Sequence, residues 1–327
     1  MSAKFSEALD AGQIVREPAG AEKGYWAGAP GVFYAEEEKA FYLTYRIRRP
    51  RGVAPDRGGE ARIARSTDLR NFEDVWCVNK DQFSTASIER CALRKGPDQV
   101  WRYFACFVDP ADGRWGVWML KATNPAKFDP ASARPLFSAQ RVGLEGVKDP
   151  WIFQEKGVFY LFLSVAVATP RTAAGSHATL DIFNTGDCIS ATALATSRDL
   201  DNWDWQGVVF SPREPGWDVY CRRINSVLPW AGKYWAFYDG SASAAEDYEE
   251  KTGLAVSADL RTWRSVTPKA PSLTSRHTSG SLRYLDAQTA EGKIWCFYEF
   301  ARADGAHDLR CCELTKEAAG VLFSGGG

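Results

Sequence analysis

The sequence predicts an all-β chain folded as a five-bladed β-propeller with four antiparallel strands per blade, and three observations predict it. Aromatic-rich strand candidates recur as AFYLTYR, VWRYFACFV, VFYLFLSVA, YWAFYDG and IWCFYEF, with first residues 60, 58, 76 and 60 apart. Each follows another strand candidate and a turn (AEEEK, RKGPDQ, QEKG, WAGK, TAEGK), the pattern of a β-hairpin. Helical periodicity is almost absent, so five such hairpins spread over 327 residues read as one propeller domain over 1–327.

The blades begin near Ala27, Ser87, Lys148, Arg222 and Ser279. A third, small-residue strand ends three of them in Ser-x-Asp-Leu-x-x-aromatic: Ser66/Asp68/Phe72, Ser197/Asp199/Trp203 and Ser257/Asp259/Trp263. Short polar side chains in that pattern bond nearby backbone and make a turn, while the aromatic packs between blades. These aspartates read as structural. Ring closure needs an outer strand for the last blade, because closure removes exposed edges. GQIVREP near Gly12 is preferred over GVLFS near Gly320.

Composition narrows the partners. Forty basic against forty-one acidic residues leave a formal charge of −1, which gives no electrostatic reason to expect nucleic acid or an anionic membrane surface. MSAKFSEALDAG lacks the apolar region of a secretion signal, and no later run approaches a membrane span, so a cytoplasmic location is expected. The eight cysteines form no CxxC pair and the three histidines are scattered, so no metal site and no cofactor are expected. Nothing in the sequence sets an oligomeric state.

In a four-stranded blade, the entrance to the innermost strand and the loop joining the second and third strands lie on one face. The entrances are polar: Ser87-Ile88-Glu89-Arg90 in blade 2, Lys148-Asp149-Pro150 in blade 3, Tyr220-Cys221-Arg222-Arg223 in blade 4 and Arg276-His277-Thr278-Ser279 in blade 5. Blade 1 offers Trp26-Ala27-Gly28-Ala29-Pro30. The loops that share this face, RIRRPRGVAPDRGGE, VATPRTAAGSHATLDIFNTG and SASAAEDYEEK, are long and charged, as functional loops are. Arg46, Arg48 and His177 stand within or beside them as weaker candidates.

A channel mouth lined by carboxylates, arginines and aromatic rings suits sugar chemistry, since rings stack on sugar faces and charged forks bond hydroxyls. Cleaving a glycosidic bond takes two carboxyl groups, one to protonate the leaving oxygen and one to activate water or attack. Asp149 and Glu89 lead as that pair, with His277 as a further catalytic candidate. Arg90, Lys148, Arg222, Arg223, Trp26, Tyr248, Glu249 and Glu250 are candidates for holding a small carbohydrate. Successive strand residues face opposite sides, so only one of Arg222 and Arg223 can point inward.

The blade pattern and the Lys148-Asp149-Pro150 entrance resemble the five-bladed propeller glycoside hydrolases, which include arabinanases, β-xylosidases, invertases, levansucrases and mannoside phosphorylases. The resemblance implies a glycoside-cleaving site at the channel mouth. It also implies an aspartate at the inner strand of blade 1, where this sequence reads Gly28-Ala29-Pro30-Gly31. Three alternatives stay open: Glu89 supplies the missing carboxylate, an acid from the Glu246–Glu250 loop does, or the protein binds sugar without cleaving it. Phosphorolysis is a further option, with Lys148, Arg222 and Arg223 as phosphate ligands.

Overall fold

Side chains alternate along each hairpin strand, so every sheet has two faces to bury, and adjacent blades bury them against one another. A computed structural model describes residues 3–212 and 215–325 and contains five four-stranded antiparallel meanders. Blade 1 is Trp26–Ala35, Ala40–Arg49, Arg57–Ser66 and Glu73–Asn79; blade 2 is Ala92–Lys95, Trp101–Val108, Trp115–Ala122 and Arg134–Phe137. Blade 3 is Gly146–Glu155, Val158–Ala168, Cys188–Ser197 and Asp204–Phe210; blade 4 is Cys221–Trp230, Lys233–Ser241, Lys251–Ser257 and Arg264–Ser265. Blade 5 is Leu282–Ala290, Lys293–Ala301 and His307–Leu314, completed by Gln13–Arg16 from the N-terminus.

The expected closure by the N-terminal segment is therefore present. The rival segment instead forms a helix, Lys316–Leu322, because Thr315 caps its first turn by accepting from Ala318 N. Its apolar face joins Phe323 in packing on Trp235. A second short helix, Ala3–Asp10, buries Phe5 and Leu9, one turn apart, in the same cluster. Neither helix was legible as a propeller element, and no described helix is long and apolar enough to cross a membrane.

A hydrophobic layer fills each space between blades. Tyr42, Ile63 and Val78 of blade 1 meet Leu93, Trp101 and Tyr103 of blade 2. Leu228 and Phe237 of blade 4 meet Leu285 and Tyr298 of blade 5. The Ser-x-Asp-Leu turns lock onto these layers. In blade 3, Ser197 Oγ accepts from Asp199 N (3.1 Å) and Leu200 N (2.9 Å), and Asp199 Oδ1 accepts from Asp201 N and Asn202 N, both at 2.8 Å. Blades 1 and 4 repeat the arrangement. The following aromatic packs edge-on against the second strand of the preceding blade: Phe72 on Phe297, Trp203 on Phe104, Trp263 on Phe162. Ser197→Ala is expected to cost about 1 kcal/mol, as loss of a capping hydroxyl does, and to leave the channel mouth untouched; chemical denaturation measures it.

Three inner strands share one irregularity that matters for function. A bulge near the entrance puts Ala29 (φ 52°), Asp149 (φ 53°) and Tyr284 (φ 53°) in the left-handed region in blades 1, 3 and 5. Such bulges re-aim side chains, here at the channel mouth.

Candidate functional site

The face predicted to carry the mouth is roofed by three loops that hold one another. Arg57 Nη2 of blade 1 donates to Leu180 O (3.0 Å) in the blade 3 loop, and Arg51 Nη2 donates to Thr179 O (3.1 Å). Tyr248 of the blade 4 loop donates its hydroxyl hydrogen to Asp181 Oδ2 (2.6 Å), whose other oxygen accepts from Trp115 Nε1 of blade 2 (3.0 Å). Inner-strand entrances and long loops thus converge as the sequence map requires.

Asp149, at the blade 3 entrance on this face, has 1% of its surface exposed. Lys148 Nζ stands 3.7 Å and Arg223 Nη1 3.9 Å from Oδ2, yet neither carboxylate oxygen has a hydrogen-bond partner among the described residues. Buried charged oxygens are nearly always satisfied, so an empty pair marks a place built for something else. Lys148 is held over the rings of Phe183 (4.5 Å) and Trp115 (5.5 Å). Burial, the largest influence, pulls its ammonium down, but the charges of Asp149, Asp181 and Glu89 together raise it.

Arg223 couples Asp149 to two acids of the blade 4 loop. Its Nη2 donates to Asp247 Oδ1 (2.9 Å) and to Glu250, which also accepts from Arg283 Nη1 (2.8 Å). The two acids are pushed apart. Burial, then the neighbouring Glu250 charge, drives the Asp247 carboxyl well above the ordinary range. Glu250 is opposed by burial too, but Arg223 and Arg283 hold it below its usual value. Asp247 Oδ2 has no partner among the described residues. Two acids with diverging environments are how one site keeps a proton donor beside an anion. Asp239, opposite Arg223 on the neighbouring strand, is likewise raised by burial and Glu250, to about 7, but accepts from Tyr284 N (3.0 Å).

Glu89 reaches the mouth but is tied down. Arg46 Nε (2.6 Å) and Arg48 Nη1 (3.0 Å) each take one of its oxygens. Burial opposes its ionisation, but the two guanidiniums prevail and lower it to about 2. A carboxyl held ionised in this way is not the proton donor of the pair, and as an anion it already has both oxygens engaged by the two guanidiniums. The gap beside Ala29 is filled from blade 5. Glu299 Oε2 accepts from Ala29 N (3.1 Å), and a Cβ on Gly28 would come within 2.0 Å of that oxygen. Glu299 is also held by Arg283 (2.6 Å), Arg46 (3.3 Å) and His307 Nδ1 (2.9 Å).

Several expected site residues are elsewhere or act differently. Arg222 turns away from the channel and forks onto Asp218 (2.8 and 3.0 Å), so Arg223 is the inward member of the pair. Arg90 spans the channel below the mouth, donating to Pro30 O, Asn225 O and Asp286, which makes it a clamp between blades. His277 sits half-buried against Phe300 in its loop, with no carboxylate contact among the described residues. The mouth histidine is His307, between Glu299 and Glu249 Oε2 (3.1 Å). Glu249 is engaged there and by Ser279. Trp26 is at the mouth, but its ring is covered by His307 (5.0 Å), Arg283 (4.8 Å) and Arg48 (4.9 Å), so it offers its free Nε1 rather than a stacking face.

Glu299, Arg283 and His307 were missed by sequence reasoning. A signal existed for the first: a glutamate inside the strand IWCFYEF, where a buried charge requires a partner. Arg46 and Arg48, two apart on one strand, share a face by the same alternation that separates Arg222 from Arg223.

No protein-family model and no curated protein matches this sequence. Solved structures do resemble it. One is a thermostable family-43 glycoside hydrolase, with TM-score 0.66, 13% identity and 92% of each chain covered. Another is the endo-arabinase from Bacteroides thetaiotaomicron VPI-5482, with TM-score 0.60, 13% identity, and 93% of this chain and 98% of that one covered. A third is the GH43_1 enzyme from Xanthomonas citri complexed with xylotriose, with TM-score 0.61, 12% identity, and 97% and 95% covered. The architectural resemblance read from the sequence holds over nearly the whole chain, and at this identity it establishes the fold.

Proposed function

We propose that this protein cleaves glycosidic bonds at the channel mouth, with Asp247 as proton donor and Asp149 as the second carboxyl group. The observation that carries this reading is the empty pair of oxygens on buried Asp149, facing an acid pushed toward its protonated form across a shared guanidinium. Asp247 gives its proton to the leaving glycosidic oxygen as the bond to the anomeric carbon breaks. Asp149 then takes a proton from attacking water or bonds that carbon itself. The contacts of Asp149 and Asp247 with one guanidinium keep their oxygens inside the upper end of glycosidase carboxyl separations, roughly 9.5 Å. The xylotriose complex of the Xanthomonas citri enzyme supports a small carbohydrate as substrate.

A screen of 4-nitrophenyl glycosides tests the reaction, since release of nitrophenol reports cleavage. One observation favours a second reading, sugar binding without turnover: the carboxylate beside Ala29 is Glu299, immobilised by Arg283, Arg46 and His307. Sugar binding by calorimetry with no product from any glycoside would select it.

The pH profile should show the donor. Activity needs Asp247 protonated, so kcat/KM falls as pH rises through its raised value. Glu250→Gln removes the second cause of that rise and frees Arg223 for Asp247, so the alkaline limb should move to lower pH. An unmoved limb would remove Asp247 from the donor role.

A further inference from the structure

The mouth has a polarity across it. Its unpartnered buried carboxyl oxygens, the two acceptors of Asp149 and the proton-bearing Oδ2 of Asp247, belong to blades 3 and 4. On the other side, four buried donors without partners come from blade 1, Trp26 Nε1, Arg46 Nη1, Arg48 Nε and Arg57 Nε, beside Arg283 Nη2 of blade 5, which has no aligned hydrogen bond but stands 2.6 Å from Glu299. Three guanidiniums crowd the Trp26 indole, with Arg283 at 4.8 Å, Arg48 at 4.9 Å and Arg46 at 5.9 Å. Arg48 is also over the Tyr248 ring at 4.6 Å.

The acids nearby do not answer these donors. Glu89 is occupied by other nitrogens of Arg46 and Arg48, and Glu299 by Arg283, His307 and Ala29 N. Asp181 serves Trp115 and Tyr248 and stands 3.9 Å from Arg57. Burying guanidinium N–H groups without acceptors is costly, and a site that does so on one side only is shaped for an acceptor-only group. Sugar hydroxyls both donate and accept, whereas a carboxylate only accepts and pairs with arginine through charge-assisted bonds.

We infer that the sugar bound here carries a carboxylate, a uronic acid, received by Arg46, Arg48 and Arg57 beside Trp26, while its ring hydroxyls and glycosidic oxygen face Asp149 and Asp247. This rests on the proposed glycoside-cleaving role. Inorganic phosphate offers the same oxyanion from another source, so the test has an arm for each.

Isothermal titration of the intact protein with D-glucuronate, D-galacturonate, D-glucose, D-galactose and sodium phosphate at matched ionic strength reads the preference directly. At least one uronate should bind roughly tenfold or more tightly than its neutral counterpart. Arg57→Gln, which leaves the Glu89 ion pairs intact, should erase that difference, and Arg57→Lys should restore part of it; circular dichroism checks both folds. Neutral sugars binding as tightly as uronates would overturn the inference, as would phosphate binding without uronate binding. Cleavage of neutral nitrophenyl glycosides with no gain for nitrophenyl uronides would overturn it while leaving the glycosidase reading standing. Failure of both uronates to bind would overturn the inference, and release of nitrophenol from no glycoside would overturn the glycosidase reading separately.

Discussion

Asp149→Asn is expected to leave the protein folded and to cut turnover by about 10²- to 10⁴-fold, the usual contribution of a positioned acid or base. The substitution is chosen for its backbone. Position 149 has φ 53°, a region that asparagine and aspartate tolerate far better than other non-glycine residues, so Asn keeps the bulge while removing the charge. No described residue hydrogen-bonds the Asp149 carboxylate, so the native fold loses no hydrogen bond there. The measurement is turnover on whichever nitrophenyl glycoside is cleaved, alongside a thermal melt and sugar affinity. Turnover within a few-fold of the parent, in a folded variant that binds sugar, would remove Asp149 from the chemistry. Asp247→Asn should lose rate as well, and with it the alkaline limb of the pH profile.

Fold and site were legible to different depths, for physical reasons. The blades were legible because each one repeats the same solution: an aromatic strand must bury both faces, and Ser-x-Asp-Leu must turn the chain at the far end. Ser197 and Asp199 together satisfy the backbone N–H groups of residues 199 to 202, none of them outside that turn, so the sequence alone contains their whole interaction. Asp149 was legible because its entrance position follows from that same repeat. The partners were not. Arg283 meets Glu250 and Glu299 over separations of 33 and 16 residues, and Ala29 meets Glu299 over 270. Ring closure alone brings the last of these together. A linear pattern marks which residues enter the channel, but pairing inside it depends on how five entrances are staggered around the axis. His277 and His307 illustrate this: both belong to blade 5, and only the second has carboxylates on both ring nitrogens.

Glu89 was read as a catalytic partner, and its geometry makes it a keystone instead, which predicts an opposite signature. Glu89→Gln should destabilise the protein by about 3 to 5 kcal/mol, because removing one side of a buried ion pair strands the other, here Arg46 and Arg48 together. Linkage gives an independent size and sign. The Glu89 carboxyl falls from its ordinary 4.5 to about 2 on folding, so the folded state binds the proton less readily than the unfolded one. Its contribution, on the order of 3 kcal/mol, is therefore fully present above about pH 4.5 and is lost as pH falls toward about 2. Chemical denaturation of parent and Glu89→Gln between pH 7 and pH 3 should show a wide gap that narrows only in the acid range. A gap that is small at pH 7, or that does not change with acid, would mean that Arg46 and Arg48 do not depend on this carboxylate. In that case Glu299, which Arg46 reaches at 3.3 Å, would be the anion that fixes the donor side, and Arg48 would be free to follow the ligand.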